Sequence, residues 1–280
     1  MTANRYFTPE SQADTRGLTL VFAHSVGAHK EQWDATIEEL FPLQDSREPH
    51  LRVHEAWSLD CMNHGDAALL NREELASNRK NGISAFEWSE AITAFLRSPQ
   101  LKGKRVVLLS HCFAAPAIIL STKTIRPGQG VPCAIIMVEP FIMSLDVFNR
   151  HFEEFFTRLA LRNASRQNKW PSREDAYRDG GIAFKTDPLQ EFAWHHDIPS
   201  LDPSVEHLAR IIHRIPAHII WGTRVDVIVP QIARDALPWV PASVRVQGGH
   251  PENPAGVAKE ICRVLDGMNI SAGTEVTSRL

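Results

Sequence analysis

Cysteine is scarce in this chain, and what there is of it is dispersed. Cys61, Cys112, Cys133 and Cys262 form no CxxC pair and fit no zinc-ligand spacing. This excludes a disulfide-stapled scaffold and a structural zinc site, and it suits a reducing compartment. Long hydrophobic runs are missing as well. Stretches such as Ala134–Val138 have the length of a strand, far short of the ~20 apolar residues that cross a bilayer as a helix. The opening Met1-Thr2-Ala3-Asn4-Arg5 lacks the apolar core of a secretory signal. Neither sign of charge dominates: 30 Lys+Arg stand against 33 Asp+Glu, for a net charge of −3. There is no basic stripe to bind nucleic acid and no acidic tail to act as a solvating arm. No glycine-rich phosphate loop follows a strand, so no nucleotide or other cofactor is expected. Internal repeats and low-complexity segments are also lacking.

What is present is an ordinary globular composition, 43% hydrophobic and 22% charged over 280 residues, enough for one large α/β core with an insertion or for two small domains. Apolar β-rich runs alternate with amphipathic stretches, which is the pattern of βα units and a mostly parallel sheet. Strands are expected at about Leu18–Ala23, Leu51–Trp57, Arg105–Ser110, Ala134–Val138, Ala217–Trp221 and Ser243–Gln247. Helices are expected at Glu31–Leu40, Ala85–Arg97, Pro116–Thr122, Val205–Ile212 and Ala255–Gly267. Near-continuous apolar runs at Val106–Leu109 and Ala134–Val138 indicate strands covered on both faces. From about Pro140 the pattern changes to an aromatic helical stretch, Phe141–Leu161, followed by polar sequence and Phe192-Ala193-Trp194-His195-His196. The chain thus divides into a core (1–140), a helical lid (141–204), the rest of the core (205–270) and a flexible tail (271–280).

The segment that asks for chemistry is Val106-Val107-Leu108-Leu109-Ser110-His111-Cys112-Phe113-Ala114-Ala115-Pro116. A buried strand runs straight into a helix, and the joint reads small-x-Cys-x-small-small. A nucleophile on such a joint sits on a sharp, strained turn that lifts its side chain above the sheet. Residues two positions to either side must be small because the turn brings their backbones together, and Ser110, Ala114 and Ala115 satisfy this. Phe113 would offer its backbone N–H to an oxyanion at the helix start, where the helix dipole also favours negative charge.

On this feature the chain resembles the α/β-hydrolase superfamily, and other segments extend the likeness over all but the lid and tail. Phe22-Ala23-His24-Ser25-Val26-Gly27-Ala28 is similar to the family's His-Gly-x oxyanion loop, with Ser25 where glycine is usual; the match makes Val26 the second backbone donor. Leu59-Asp60-Cys61-Met62-Asn63-His64-Gly65-Asp66 resembles a degraded Asp-x-Arg-Gly-x-Gly loop and is read as structural. Ile219–Pro230 matches the segment that presents the acid, here Asp226, and Gly248-Gly249-His250-Pro251 matches the loop that carries the histidine. The order nucleophile, acid, histidine is the one this fold uses. The resemblance implies that His250 takes the Cys112 proton and passes it to the leaving group, while Asp226 holds His250 in the right tautomer. Glu139, in Val138-Glu139-Pro140, is a rival acid, because some members of the superfamily draw the acid from that earlier position.

The remaining candidates have plainer readings. His24 and His111 accompany the motifs and are expected to be structural. Cys133 and Cys262 belong to apolar elements and read as core. The pair His195-His196 has no carboxylate or cysteine spacing to support a metal, so none is expected. Lid aromatics are equally suited to simple packing and to lining an acyl-chain pocket. The expected function is acyl transfer: hydrolysis or lactonisation of an ester or thioester through an S-acyl-Cys112 intermediate. The sequence also resembles fungal peroxisomal and toxin-pathway hydrolases, and stand-alone thioesterase-like hydrolases of polyketide clusters. That likeness implies a hydrophobic acyl or polyketide substrate, carrier- or CoA-bound where it is a thioester. Ser278-Arg279-Leu280 is a conservative variant of the Ser-Lys-Leu peroxisomal address, which implies an import receptor as partner, with the cytoplasm as the alternative location. A different class remains open on the same fold: a lyase, cyclase or isomerase that uses His250 as a plain base. A non-catalytic binding protein is disfavoured by the joint presence of nucleophile, base and acid positions.

Overall fold

The computed structural model describes residues 1–12, 15–44, 47–79, 82–125, 131–164, 197–223, 244–246 and 253–268, together with Ser172, Glu174, Gln190, Ile232, Leu237 and Val240. Among the described residues the sheet has seven strands: β1 (Ala3–Tyr6), β2 (Leu18–Ala23), β3 (Val53–Leu59), β4 (Arg105–His111), β5 (Ala134–Val138), β6 (Ala217–Gly222) and β7 (Val244–Val246). The spatial order is β1-β3-β2-β4-β5-β6-β7. Every pair is parallel except β1 with β3.

The β4 and β5 runs behave as double-sided strands. Val106 and Leu108 join the cluster on one face, and Val107 and Leu109 join the cluster on the other. Ile135 and Met137 alternate with Ala134, Ile136 and Val138 in the same way. The helices Ala85–Leu96, Ala114–Ser121 and Leu201–Ile211 pack together on the first face, and Asp34–Leu40 and Pro254–Gly267 pack on the second. Side chains such as Leu18, Leu20, Phe22, Trp33 and Trp88 are fully removed from solvent, each worth roughly 1.5–3 kcal/mol of apolar burial.

Four features depart from the expectations. The edge strand β1 was not anticipated: it is four residues long with an exposed–intermediate alternation, so it carries no apolar signal. The helices Gly65–Leu70 and Arg72–Ser77 likewise sit in a segment with no strong period. The stretch Phe141–Leu161 is not one helix. It enters as coil with Phe141, Ile142 and Met143 buried, then forms Leu145–His151, breaks at Phe152 (φ −125°) and resumes as Glu153–Ala164. Ser144 sets the first start, its Oγ accepting the Val147 N–H at 3.4 Å. The core helix expected at Val205 begins instead at Leu201, inside the block assigned to the lid. Pro203 allows this, because a missing N–H has no cost in a first turn. Asp202 in the same turn accepts the Leu145 N–H at 2.8 Å, joining the two helix starts.

Candidate active site

The parallel register sets strand exits side by side. Ala23 of β2 lies opposite Ser110 of β4, and His111 of β4 lies opposite Val138 of β5. Cys112 follows directly with φ +52°, and Glu139 follows β5 with φ +46°. These are the two non-glycine residues in the left-handed region among those described, a conformation that costs about 1–3 kcal/mol for such residues. Hydrogen bonds hold both in place. The Cys112 N–H donates to Val138 O at 3.0 Å, and the Cys112 carbonyl accepts from Phe141 at 3.0 Å and Ala115 at 3.2 Å. The Glu139 N–H donates to Ile220 O at 2.8 Å. Ser110, Ala114 and Ala115 are completely buried, as the tight joint requires. The helix Ala114–Ser121 starts at once behind Phe113.

Burial pushes the Cys112 thiol up to about 12, and the Glu139 charge acts in the same direction. The Ser25 hydroxyl and the Phe113 N–H pull the opposite way by hydrogen bonding to the sulfur. The described surroundings therefore keep Cys112 a neutral thiol near pH 7, and nucleophilic use requires a base that removes its proton.

The loop after β2 is tightly braced. Burial drives the His24 imidazole down to about 4, so the ring is neutral. The tautomer that satisfies its contacts donates from Nδ1 to Ser25 O at 2.7 Å and accepts the Cys61 N–H on Nε2 at 3.1 Å. Ser25 donates its N–H to Gln32 Oε1 at 3.0 Å, and Ala28 donates to Ser25 O at 3.2 Å. Gly27 takes the left-handed angle in this turn (φ +71°), so Ser25 fits without strain where glycine is usual. With the Ser25 N–H occupied, Val26 is next in line, and no described residue accepts its N–H. Gln32 also faces His111 Nδ1 at 3.3 Å, while His111 Nε2 faces Glu139 Oε2 at 3.5 Å. His24 and His111 thus serve as braces between strand exits. Gln32 escaped the sequence reading, since a glutamine beside a core tryptophan carries no local signal of a loop tie.

The loop after β3 is structural, and its chemistry explains why. Asp60 is fully buried and accepts from Thr2 Oγ1 (2.7 Å), Lys30 N (2.8 Å), Lys30 Nζ (3.0 Å) and Asp66 N (3.0 Å). Gly65 is left-handed (φ +52°), and a Cβ there would lie 2.4 Å from Asp60 Oδ1, so this position needs glycine twice over.

Above the joint lies an aromatic cluster. Phe113 stacks on Phe141 at 4.2 Å, Phe156 meets Phe141 edge-on at 4.8 Å, and Phe148 and Phe152 complete the group. A small pocket opens between Phe113, Pro116, Phe141, Phe148, Ile198 and Leu201, with Asp197 and Ser200 as polar members. Asp197 accepts the Ala85 N–H at 2.5 Å, and burial raises its carboxyl to about 6. Nothing in the sequence singled it out.

Of the expected site residues, Cys112, Val26, Phe113 and Glu139 are placed within one group of strand exits. Asp226 follows β6 and His250 follows β7 in the chain, but both lie outside the described residues, as do His195, His196, Ser278, Arg279 and Leu280. Cys262 is buried with Gln44 Nε2 at 3.3 Å from its sulfur, and Cys133 is half-buried beside Arg105. Among the described residues there is no three-residue metal-ligand cluster and no helix long and apolar enough to cross a membrane.

A model of the alpha/beta hydrolase family matches residues 20–260. Among solved structures, the chain is similar to the peroxisomal alpha-beta-hydrolase Lpx1 from Saccharomyces cerevisiae, at 16% identity and a TM-score of 0.67, covering 94% of this chain and 79% of that one. It is similar to a hydrolase from Oleispira antarctica at 14% identity and a TM-score of 0.58, over 95% and 94% of the two chains. It is also similar to the thioesterase domain of the curacin biosynthetic pathway at 13% identity and a TM-score of 0.58, over 94% of each chain. No curated protein matches the sequence.

Proposed function

We propose, from the premise that this chain belongs to the alpha/beta hydrolase family of enzymes, that it transfers acyl groups from hydrophobic esters or thioesters through Cys112. The observation that carries this reading is the left-handed Cys112 on the joint between β4 and the helix Ala114–Ser121. A strained nucleophile position is retained only where the surroundings enforce it, and here three backbone hydrogen bonds do so. His250 removes the thiol proton as the sulfur attacks the acyl carbonyl, and Asp226 orients His250; Glu139 is the alternative acid. The Val26 and Phe113 N–H groups receive the oxyanion. The leaving thiol or alcohol departs with the proton from His250, and water or a substrate hydroxyl, deprotonated by His250, then releases the acyl group as acid or lactone. Aromatic side chains above Cys112 suit an apolar acyl or polyketide chain. A thioesterase domain of a biosynthetic pathway among the fold neighbours is in keeping with that substrate class, and a role in fungal secondary metabolism is part of the proposal.

Intact-mass spectrometry after mixing with thioesters of graded chain length, hydroxyacyl ones included, is the direct test. A mass increment on the Cys112 peptide, later lost as acid or lactone, is expected. Turnover with no increment on Cys112 at any chain length would remove it as nucleophile.

A second reading fits the burial of the Cys112 thiol, which opposes its ionisation: a lyase, cyclase or isomerase in which His250 acts on substrate directly. Location in the peroxisome, through an import receptor that reads Ser278-Arg279-Leu280, is part of the proposal; a peroxisomal hydrolase among the fold neighbours points the same way. An amino-terminal fluorescent fusion should collect in peroxisomes, and deletion of the three residues should leave it diffuse. Equal distribution of both would place the protein in the cytoplasm.

A further inference from the structure

We propose that Gln32 is a positioning residue of the site, whose side-chain oxygen holds the loop presenting the Val26 N–H against the Cys112 turn. The inference deepens the acyl-transfer reading and rests on it, since it takes Val26 and Phe113 as the oxyanion donors.

Strand pairing between β2 and β4 ends at Ala23 and Ser110. Beyond that point the Ser25–Val26 loop and the Cys112 turn need another tie, and Gln32 Oε1 supplies it. This oxygen accepts the Ser25 N–H at 3.0 Å and faces Nδ1 of His111, the residue before the nucleophile, at 3.3 Å. A glutamine amide can be placed either way round, and the Ser25 donor requires that the oxygen point inward. A carbonyl oxygen has two lone pairs and no proton, so the two contacts match its capacity and put a proton on His111 Nδ1. His111 Nε2 then faces Glu139 Oε2 at 3.5 Å, which carries the chain of contacts to the exit of β5.

The side chain reaches out from an anchored base. Gln32 lies in the short helix Lys30–Trp33, and its own N–H donates to His29 O at 2.9 Å. On one side Lys30 is clamped by Asp60 at 3.0 Å and Asp66 at 2.6 Å. On the other Trp33 is fully buried, with its ring 4.8 Å from that of Phe22 and edge-on to that of His111 at 6.3 Å.

The bonds on Ser25 show what the tie achieves. The Ser25 carbonyl accepts from His24 Nδ1 at 2.7 Å and from Ala28 N at 3.2 Å. In a planar trans peptide the Val26 N–H points the opposite way, and no described residue accepts it. Gln32 holds the other end of the same residue. Loss of its oxygen would leave the Ser25 N–H without that acceptor and let the loop pivot, and the Val26 donor would swing with it.

Hydrogen exchange of the Ser25 amide, read residue by residue by NMR in the full-length protein, is the first measurement. Gln32→Met removes the acceptor at nearly constant length, and the milder Gln32→Asn withdraws it by one methylene and carries the test should Gln32→Met fail to fold. Either should speed Ser25 exchange about tenfold, while the Cys61 amide, held by His24 at 3.1 Å, keeps its wild-type rate. Thioester kinetics are the second measurement. Both variants should lower kcat about 10²-fold, as expected for a misplaced oxyanion donor, with KM nearly unchanged. Gln32→Glu, which keeps an acceptor oxygen, should return both readouts toward wild type. Unchanged Ser25 exchange overturns the proposal, and so does equal acceleration at Cys61, which would mark general loosening. A rise in KM at constant kcat overturns it too. Exchange needs no substrate, so absence of an acyl increment on Cys112 would sink the acyl-transfer reading and leave the Gln32 tie measurable. An acyl increment together with unchanged Ser25 exchange would sink the tie alone.

Discussion

Cys112→Ala is expected to lower kcat toward an acyl thioester by at least about 10⁴-fold while the protein stays folded. Loss of a nucleophile in a working triad costs up to ~10⁶ in kcat, because partners that act as a unit lose their function together. The Val26 and Phe113 donors survive the substitution and leave a residual rate through direct attack by water. Alanine at φ +52° carries the same backbone strain as cysteine, and the substitution removes a single atom from a residue that is half-buried as a whole. Stability should therefore change by no more than about 1 kcal/mol. His250→Ala should be as damaging as Cys112→Ala, and the double variant little worse than either. Steady-state kinetics and a thermal melt decide the matter. Full activity in Cys112→Ala with none in His250→Ala would establish the lyase-type reading instead.

Asp60→Ala is expected to be the most destabilising single change at the sheet exits, by about 3–5 kcal/mol. The Asp60 side chain is fully buried and that of Lys30 is 3% exposed. Removal of the carboxylate deprives Lys30 N, Lys30 Nζ, Asp66 N and Thr2 Oγ1 of an acceptor together. Lys30 keeps Asp66 at 2.6 Å and Glu31 at 2.7 Å, so its charge is not wholly stranded, which argues for the lower half of that range. Set against a typical total of 5–15 kcal/mol, the loss should appear as a large drop in the denaturation midpoint. Lys30→Met added to Asp60→Ala should cost less than the sum of the two single changes.

Burial alone would raise the Asp60 carboxyl, but the Thr2 hydroxyl and the Lys30 N–H and ammonium outweigh it and hold it below its ordinary 3.8. Its contribution to stability is therefore complete above that value and is lost as pH falls through the lower folded-state value. Acid unfolding should be steeper in wild type than in Asp60→Asn. An Asp60→Ala protein that melts within 1 °C of wild type would show the network to be energetically idle.

Legibility in the sequence followed the range of the forces involved. The apolar runs of β2, β4 and β5 announced themselves because burial on both faces writes hydrophobicity into every residue. The joint at Cys112 was legible because a tight turn demands small neighbours in fixed positions. The strand β1 left no trace, since an edge strand is held by pairing with β3 rather than by burial. Lys30 and Asp60 are thirty residues apart in sequence, and nothing local marks either one as the other's partner. Ser25 is instructive in a different way. The likeness to a glycine-bearing motif made it look like a departure, whereas its backbone ties to His24, Gln32 and Ala28 are visible only once the loop is folded. The aromatics at Phe141–Phe156 suggested one continuous helix because their spacing cannot reveal that Ser144 caps a start and Phe152 a break.

The contact between Phe141 and the Cys112 turn has a mechanical consequence. Phe141 donates its N–H to the Cys112 carbonyl and stacks its ring on Phe113. The start of the segment after β5 is therefore clamped to the Cys112 turn itself. Any movement of the helices Leu145–His151 and Glu153–Ala164 has to pivot beyond Phe141, at the coil before Leu145 or at the break at Phe152. The position of the Cys112 sulfur is thereby insulated from such movement.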